Sequence, residues 1–139
     1  NPSIEFSKTG ALQAVWVQGV GANQLVMESH FDLEEGWSVP FQLATESALF
    51  DIEPFSAYDD QGNVSVFWTQ GLENKVLSRR YRRSVQEWSG VETVGSAFET
   101  GTKPFVLPLR RDGRLALIRS LLNDGQYQLS YVLFDQAFD

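Results

Sequence analysis

The chain has 139 residues, of which 42% are hydrophobic and 13% aromatic, so it is long enough for one domain with a packed core. It has no cysteine and a single histidine, which excludes a disulfide framework, thiol catalysis and a metal site built from several histidines. Its net charge of −7 argues against a general nucleic-acid binder, and no apolar run of about 18 residues predicts a membrane span.

The charge is unevenly distributed along the chain. Residues 1–74 contain 11 acidic residues and one basic residue, whereas residues 75–139 contain 10 basic and 7 acidic residues. The two parts therefore carry net charges of −10 and +3. This asymmetry favours head-to-tail association of two copies, or of two parts of a longer chain, but surface drift without any partner explains it as well.

Several residues recur at a spacing near 50 residues. Residues 62–70 form a turn followed by an alternating strand, with counterparts at 10–18 and 113–121. The recurring residues are Pro2, Pro54 and Pro104, then Gly10, Gly62 and Gly113, then Trp16, Trp68 and Arg119, then Phe31, Tyr81 and Phe134, and finally Trp37 and Trp88. Tryptophans at matched positions are expected in the core between repeated units rather than on the surface as sugar-stacking platforms.

In chain order we predict three units, at residues 1–52, 53–102 and 103–139. The predicted strands lie near 3–8, 11–18, 24–31 and 37–43, then 54–58, 64–70, 75–82 and 88–94, then 104–109, 115–122 and 127–134. No stretch predicts a stable helix, since the most helical one, 47–52, is too short to stand alone. The third unit is expected to lack its fourth strand. The predicted fold class is all-β, with four-stranded antiparallel propeller-type blades that form an incomplete propeller in this chain.

The order of these features resembles the blades of bacterial sialidase-like, or BNR-like, β-propellers. The resemblance is carried by the turn from Asp59 to Asn63, by the strand that ends in Trp68-Thr69-Gln70, and by the later strand that begins with Trp88. It implies about two and three-quarter blades, whereas closed propellers have about four to eight. The missing blades would then come from a parent chain or from self-association. The sialidase Asp-box, Ser-x-Asp-x-Gly-x-x-Trp, is absent in a clean form, which favours a non-catalytic role.

Arginines supply the candidate site residues. Guanidinium groups bind carboxylates and phosphates in bidentate geometry, and the resemblance implies several arginines on a sugar carboxylate. The candidate residues for binding a carbohydrate or an anion are Arg79, Arg80, Tyr81, Arg82 and Arg119. Because a strand alternates its faces, Arg79 should point away from Arg80 and Arg82. The alternative to ligand binding by the arginines at 79–82 is a solvated strand with structural ion pairs. For Arg119 the alternative is a degenerate unit at the edge of the repeat.

These observations predict a non-catalytic β-propeller segment that acts as a binding or scaffolding module within a larger protein or oligomer. The alternative is a carbohydrate-binding lectin or a fragment of a sialidase-like glycoside hydrolase. An enzyme should gather an arginine, a tyrosine and a carboxylate at one point, whereas a scaffold should scatter them in ion pairs. No catalytic residue, metal ligand or cofactor is predicted. The compartment stays open, and a bacterial periplasmic or extracellular location is compatible with the absence of cysteine.

Overall fold

The structure, a computed structural model, describes residues 2–20, 23–46, 53–70, 75–95, 105–108, 115–123 and 125–134. Within these ranges the chain is all-β and antiparallel, without a helix or a closed sheet, which confirms the predicted class. The propeller arrangement stays a prediction. The strands are β1 (Ser3–Phe6), β2 (Leu12–Val20), β3 (Asn23–Asp32), β4 (Gly36–Trp37), β5 (Phe41–Glu46), β6 (Phe55–Tyr58), β7 (Val64–Gln70), β8 (Lys75–Arg82), β9 (Glu87–Trp88), β10 (Glu92–Gly95), β11 (Phe105–Pro108), β12 (Leu115–Asn123) and β13 (Gln126–Phe134).

The strands form three sheets in chain order. The first sheet contains β1–β5, the second contains β6–β10 and the third contains β11–β13. The connections at 47–52 and 96–104, and the end of the chain at 135–139, lie outside the described residues. The predicted unit boundaries and the predicted absence of a fourth strand in the third unit therefore stay predictions.

The cross-strand register repeats from sheet to sheet. A row of directly opposed residues crosses the first sheet at Phe6, Leu12, Phe31 and Trp37. The corresponding row in the second sheet is Tyr58, Val64, Tyr81 and Trp88. In the third sheet it is Pro108, Leu115 and Phe134. We call two residues equivalent when they lie on corresponding strands of two sheets, at the same number of residues from the row and in the same direction.

The fourth predicted strand is divided in two in the first and second sheets. β4 and β5 both pair with β3, and β9 and β10 both pair with β8. At each break a serine, Ser38 or Ser89, donates its N–H to the carbonyl of His30 or Arg80 at 2.7 Å. The serine hydroxyl accepts the N–H of the same residue at 3.0 Å. Because a side-chain oxygen replaces a carbonyl in the ladder, one extra residue is accommodated and the single predicted strand is interrupted.

The first and second sheets pack face to face around an apolar core. Its buried residues are Val15, Val26 and Leu43 of the first sheet and Val66, Trp68 and Leu77 of the second. Trp68 is fully buried there, which confirms its predicted place between units. For Trp37 the same expectation is wrong, because 52% of the residue is exposed on the face of the first sheet that turns away from the second. A second apolar cluster, of Ala57, Phe67 and Val76, lies on the other face of the second sheet.

The first hairpin turns of the two sheets are built alike and lie side by side. In the first sheet the Ser7 hydroxyl accepts the N–H of Ala11 at 2.9 Å, and in the second the Asp59 carboxylate accepts the N–H of Asn63 at 2.9 Å. An ion pair between Lys8 and Asp60 joins the two turns. β6 contacts β1 and β2 and also β11, so the first strands of successive sheets are neighbours.

We expect Trp68→Ala to lower the free energy of unfolding by about 3–5 kcal/mol, because it leaves a large cavity between two sheets. Trp16→Ala removes the same side chain from the equivalent position in the first sheet, which is only partly buried, and should cost clearly less. Urea denaturation at a protein concentration at which sedimentation shows the monomer, followed by far-UV circular dichroism, measures both losses. Equal losses would mean that the two tryptophans have similar surroundings, contrary to the structure.

Candidate functional site

β8 carries four of the predicted site residues and divides them between two faces. Arg79 and Tyr81 lie on the face toward the first sheet, whereas Arg80 and Arg82 lie on the opposite face. The structure therefore does not bring these four side chains together at one point. Each of them has its own set of contacts.

Arg79 joins the first and second sheets. Its Nε donates to the carbonyl of Ser89 at 2.7 Å, and its Nη1 donates to the carbonyl of Leu43 at 2.9 Å. The guanidinium carbon lies 5.5 Å from the centre of the Phe41 ring, a cation–π contact. Because Phe41 and Leu43 belong to β5, these contacts hold the outer part of the first sheet against the second.

Arg80 pairs with Asp59, the residue that organises the turn before β7. Nη2 of Arg80 lies 3.3 Å from Oδ2 of Asp59, and both side chains are largely buried. Asp59 also accepts the N–H groups of Gln61 and Asn63 at 2.8 and 2.9 Å, and the Asn63 side-chain amide at 2.8 Å. Burial lowers the pKa of Arg80, and the charge and hydrogen bond of Asp59 oppose this shift. The pair thus fixes a turn.

A shallow depression lies at the same end of the second sheet. Its volume is about 330 Å³, and it is lined by Gln61, Asn63, Arg82, Arg83 and Ser84. Arg82 is the one predicted site residue that lines it, and its Nη2 lies 4.0 Å from the Glu87 carboxylate. Two guanidinium groups and two amides supply donors that suit an anion or sugar hydroxyls.

A buried carboxylate, which the sequence reasoning missed, lies between the first and second sheets. The Glu28 side chain is only 2% exposed, accepts the Nε2 donor of Gln13 at 2.7 Å, and lies 3.6 Å from Nδ1 of His30. The available signal was alternation, since Val26, Glu28 and His30 share the face of β3 that packs on the second sheet. A buried charge needs such partners, because its desolvation is costly.

Two tyrosines add to this polar cluster. The Tyr81 ring stacks on His30 with ring centres 6.0 Å apart and contacts Trp88 at 5.3 Å. Burial, with the Glu28 charge adding to it, raises the pKa of Tyr58 to about 12. The same causes raise the pKa of Tyr81. Both phenols therefore stay protonated at neutral pH.

Arg119 lies in β12, opposite Ser130, in the third sheet. Its side chain lies outside the described residues, so its part in a site stays a prediction.

The described ranges contain no group of three or more His, Cys, Asp or Glu side chains that could hold a metal ion. No helix in them is long and apolar enough to cross a membrane. Neither the models of known protein families nor the curated proteins match this chain.

We expect Arg79→Ala to lower the free energy of unfolding by about 2–3 kcal/mol, because two charged hydrogen bonds between main chain and guanidinium are lost. Arg82→Ala, on the opposite face of β8, is the matched control and should lower the free energy of unfolding by less, because the ion pair of Arg82 with the exposed Glu87 spans 4.0 Å. Arg79→Lys should recover little of the loss, because one ammonium group cannot replace the guanidinium fork. Urea denaturation compares the three variants, and an Arg79→Ala loss as small as the control would contradict the role of Arg79 between the sheets.

We expect the His30 side chain to stabilise the fold at acidic pH. The Glu28 carboxylate, as hydrogen-bond acceptor and as a charge, raises the pKa of His30 above its ordinary 6.5, and partial burial of the ring opposes the shift. The stabilisation is complete below the unfolded-state pKa and is lost as pH rises through the higher folded-state pKa. The thermal midpoint of wild type should therefore exceed that of His30→Gln by more at about pH 5.5 than at about pH 8.5.

Glu28→Gln provides the control for this pH dependence. It removes the negative charge and keeps a similar shape, so the His30 pKa, measured by NMR titration of the ring protons, should fall relative to wild type. A wild-type value at or below 6.5 would contradict the ion pair.

Proposed function

We propose that this chain is a non-catalytic β-propeller segment that acts as a binding or scaffolding module within a larger protein or oligomer. The observation that carries the proposal is the face-to-face packing of the first two sheets, with β6 in contact with the first strands of both other sheets. Propeller blades are antiparallel four-stranded sheets placed around a shared centre. Successive sheets of this chain are related in a way that suits such a ring.

The contacts of the charged groups support a non-catalytic role. Arg79 is bound to main-chain carbonyls, Arg80 is paired with Asp59, and Glu28 lies buried beside Gln13. Glycoside hydrolysis usually requires two carboxyl groups on either side of the scissile bond. In the second sheet Arg79 and Arg80 lie on opposite faces of β8, where Arg79 joins two sheets and Arg80 fixes a turn, which suits a scaffold.

The depression beside Arg82 and Arg83 favours a second candidate, a carbohydrate-binding lectin or a fragment of a sialidase-like glycoside hydrolase. An acidic sugar could bind there through bidentate contacts to the guanidinium groups. This candidate uses only one of the arginines predicted from the sequence.

A sialic-acid substrate separates the two candidates. We expect no hydrolysis of 4-methylumbelliferyl sialoside above the rate in buffer. We also expect N-acetylneuraminic acid to produce no saturable heat in calorimetry at up to about 10 mM, a concentration that detects even millimolar binding. Lactose is the neutral control. Hydrolysis would overturn the non-catalytic role, and saturable binding that the double variant Arg82→Ala/Arg83→Ala abolishes would favour a carbohydrate-binding lectin over a scaffold.

A further inference from the structure

The first sheet has an uncovered apolar face. Ile4, Phe6 and Trp37 are 55%, 69% and 52% exposed. The cross-strand register places them on the same face as Leu12 and Trp16, opposite to the face that packs on the second sheet. An exposed apolar face formed by several strands marks an interaction surface.

The equivalent face of the second sheet is covered. Ala14 and Trp16 are equivalent to Val66 and Trp68, which are fully buried against the first sheet, where they meet Val26. The uncovered face of the first sheet therefore corresponds to the face with which the second sheet packs onto Val26 of the sheet before it.

The third sheet leaves the complementary kind of face uncovered. Leu129, Tyr131 and Leu133 alternate along β13 and are 81%, 69% and 43% exposed. Leu129 is equivalent to Val26 in the first sheet and Val76 in the second, since each lies five residues before the aromatic residue in its row. Both valines are fully buried, and Val26 packs against the second sheet. In the third sheet the same position is open.

We propose that a second copy of this chain packs its first sheet onto the third sheet of its partner through these two faces. The proposal rests on the proposed function and names the partner of the scaffold. The contact repeats the packing between the first and second sheets, so it is head to tail. Since the described residues of each copy present one face of each kind, two copies can make two identical contacts, and their described sheets then form one ring.

Charge favours this orientation over a contact between two first sheets. Residues 1–74 carry a net charge of −10 and residues 75–139 a net charge of +3. Head-to-tail packing brings the acidic part of one copy to the basic part of the other, whereas a contact between two first sheets places like charges together.

Two single variants test the proposal, one on each face. Phe6→Asp alters the first sheet and Leu129→Asp alters the third. Both residues are more than two-thirds exposed within one copy, so the fold should persist, which far-UV circular dichroism checks. Wild type should sediment as a dimer. Each variant alone should have a dimer dissociation constant at least about 30-fold higher, because a carboxylate enters an apolar contact. Val85→Asp, in the turn before β9 and 51% exposed, is the matched control and should leave the dimer intact.

Mixing the two variants decides whether the contact is head to tail. A Phe6→Asp copy keeps its third sheet and a Leu129→Asp copy keeps its first sheet, so an equimolar mixture has one intact contact and should form a heterodimer. A monomeric wild type, or a mixture that associates no more tightly than either variant alone, would overturn the proposal. Either result leaves the sialoside and sugar-binding measurements unchanged, so the proposed function stands or falls separately.

Discussion

Burial of Trp68 between the first and second sheets is the constraint on which the described structure depends. Its ring is fully enclosed by apolar residues of both sheets, among them Val15 and Val26. This contact sets the distance and orientation of the two sheets, and it brings their first turns together at Lys8 and Asp60. Since the hydrophobic contribution scales with apolar area removed from water, a large aromatic side chain at this position is well suited to join two sheets.

The polar groups at the edge of this contact follow from the same packing. Glu28 lies two residues after Val26, on the same face of β3 and next to the apolar core. It is buried beside Gln13 and His30. Arg79 performs the corresponding task from the second sheet by donating to carbonyl groups at the outer strands of both sheets. In a low-dielectric environment such groups must be paired, so they specify one arrangement of the sheets.

The repeat also explains why equivalent residues have different surroundings. Trp16 and Trp68 occupy equivalent positions, yet only Trp68 is fully buried, because a neighbouring sheet covers one face and not the other. Leu129 of the third sheet and Val26 of the first differ in the same way, since Leu129 is exposed and Val26 is fully buried. In a stack of repeated sheets, the two outermost faces are unlike, because each sheet has two different faces.

The sequence by itself determined the strands, the turns and their repetition, because alternation of apolar residues and turn-forming residues such as Gly62 act locally. Alternation also predicted that Arg79 and Arg80 lie on opposite faces of one strand. Only the tertiary structure decided which groups these arginines contact, that Glu28 is buried, and that Ser89 interrupts the outer strand. These features depend on which sheet lies opposite and at what register, and such long-range packing is not encoded in the spacing of neighbouring residues.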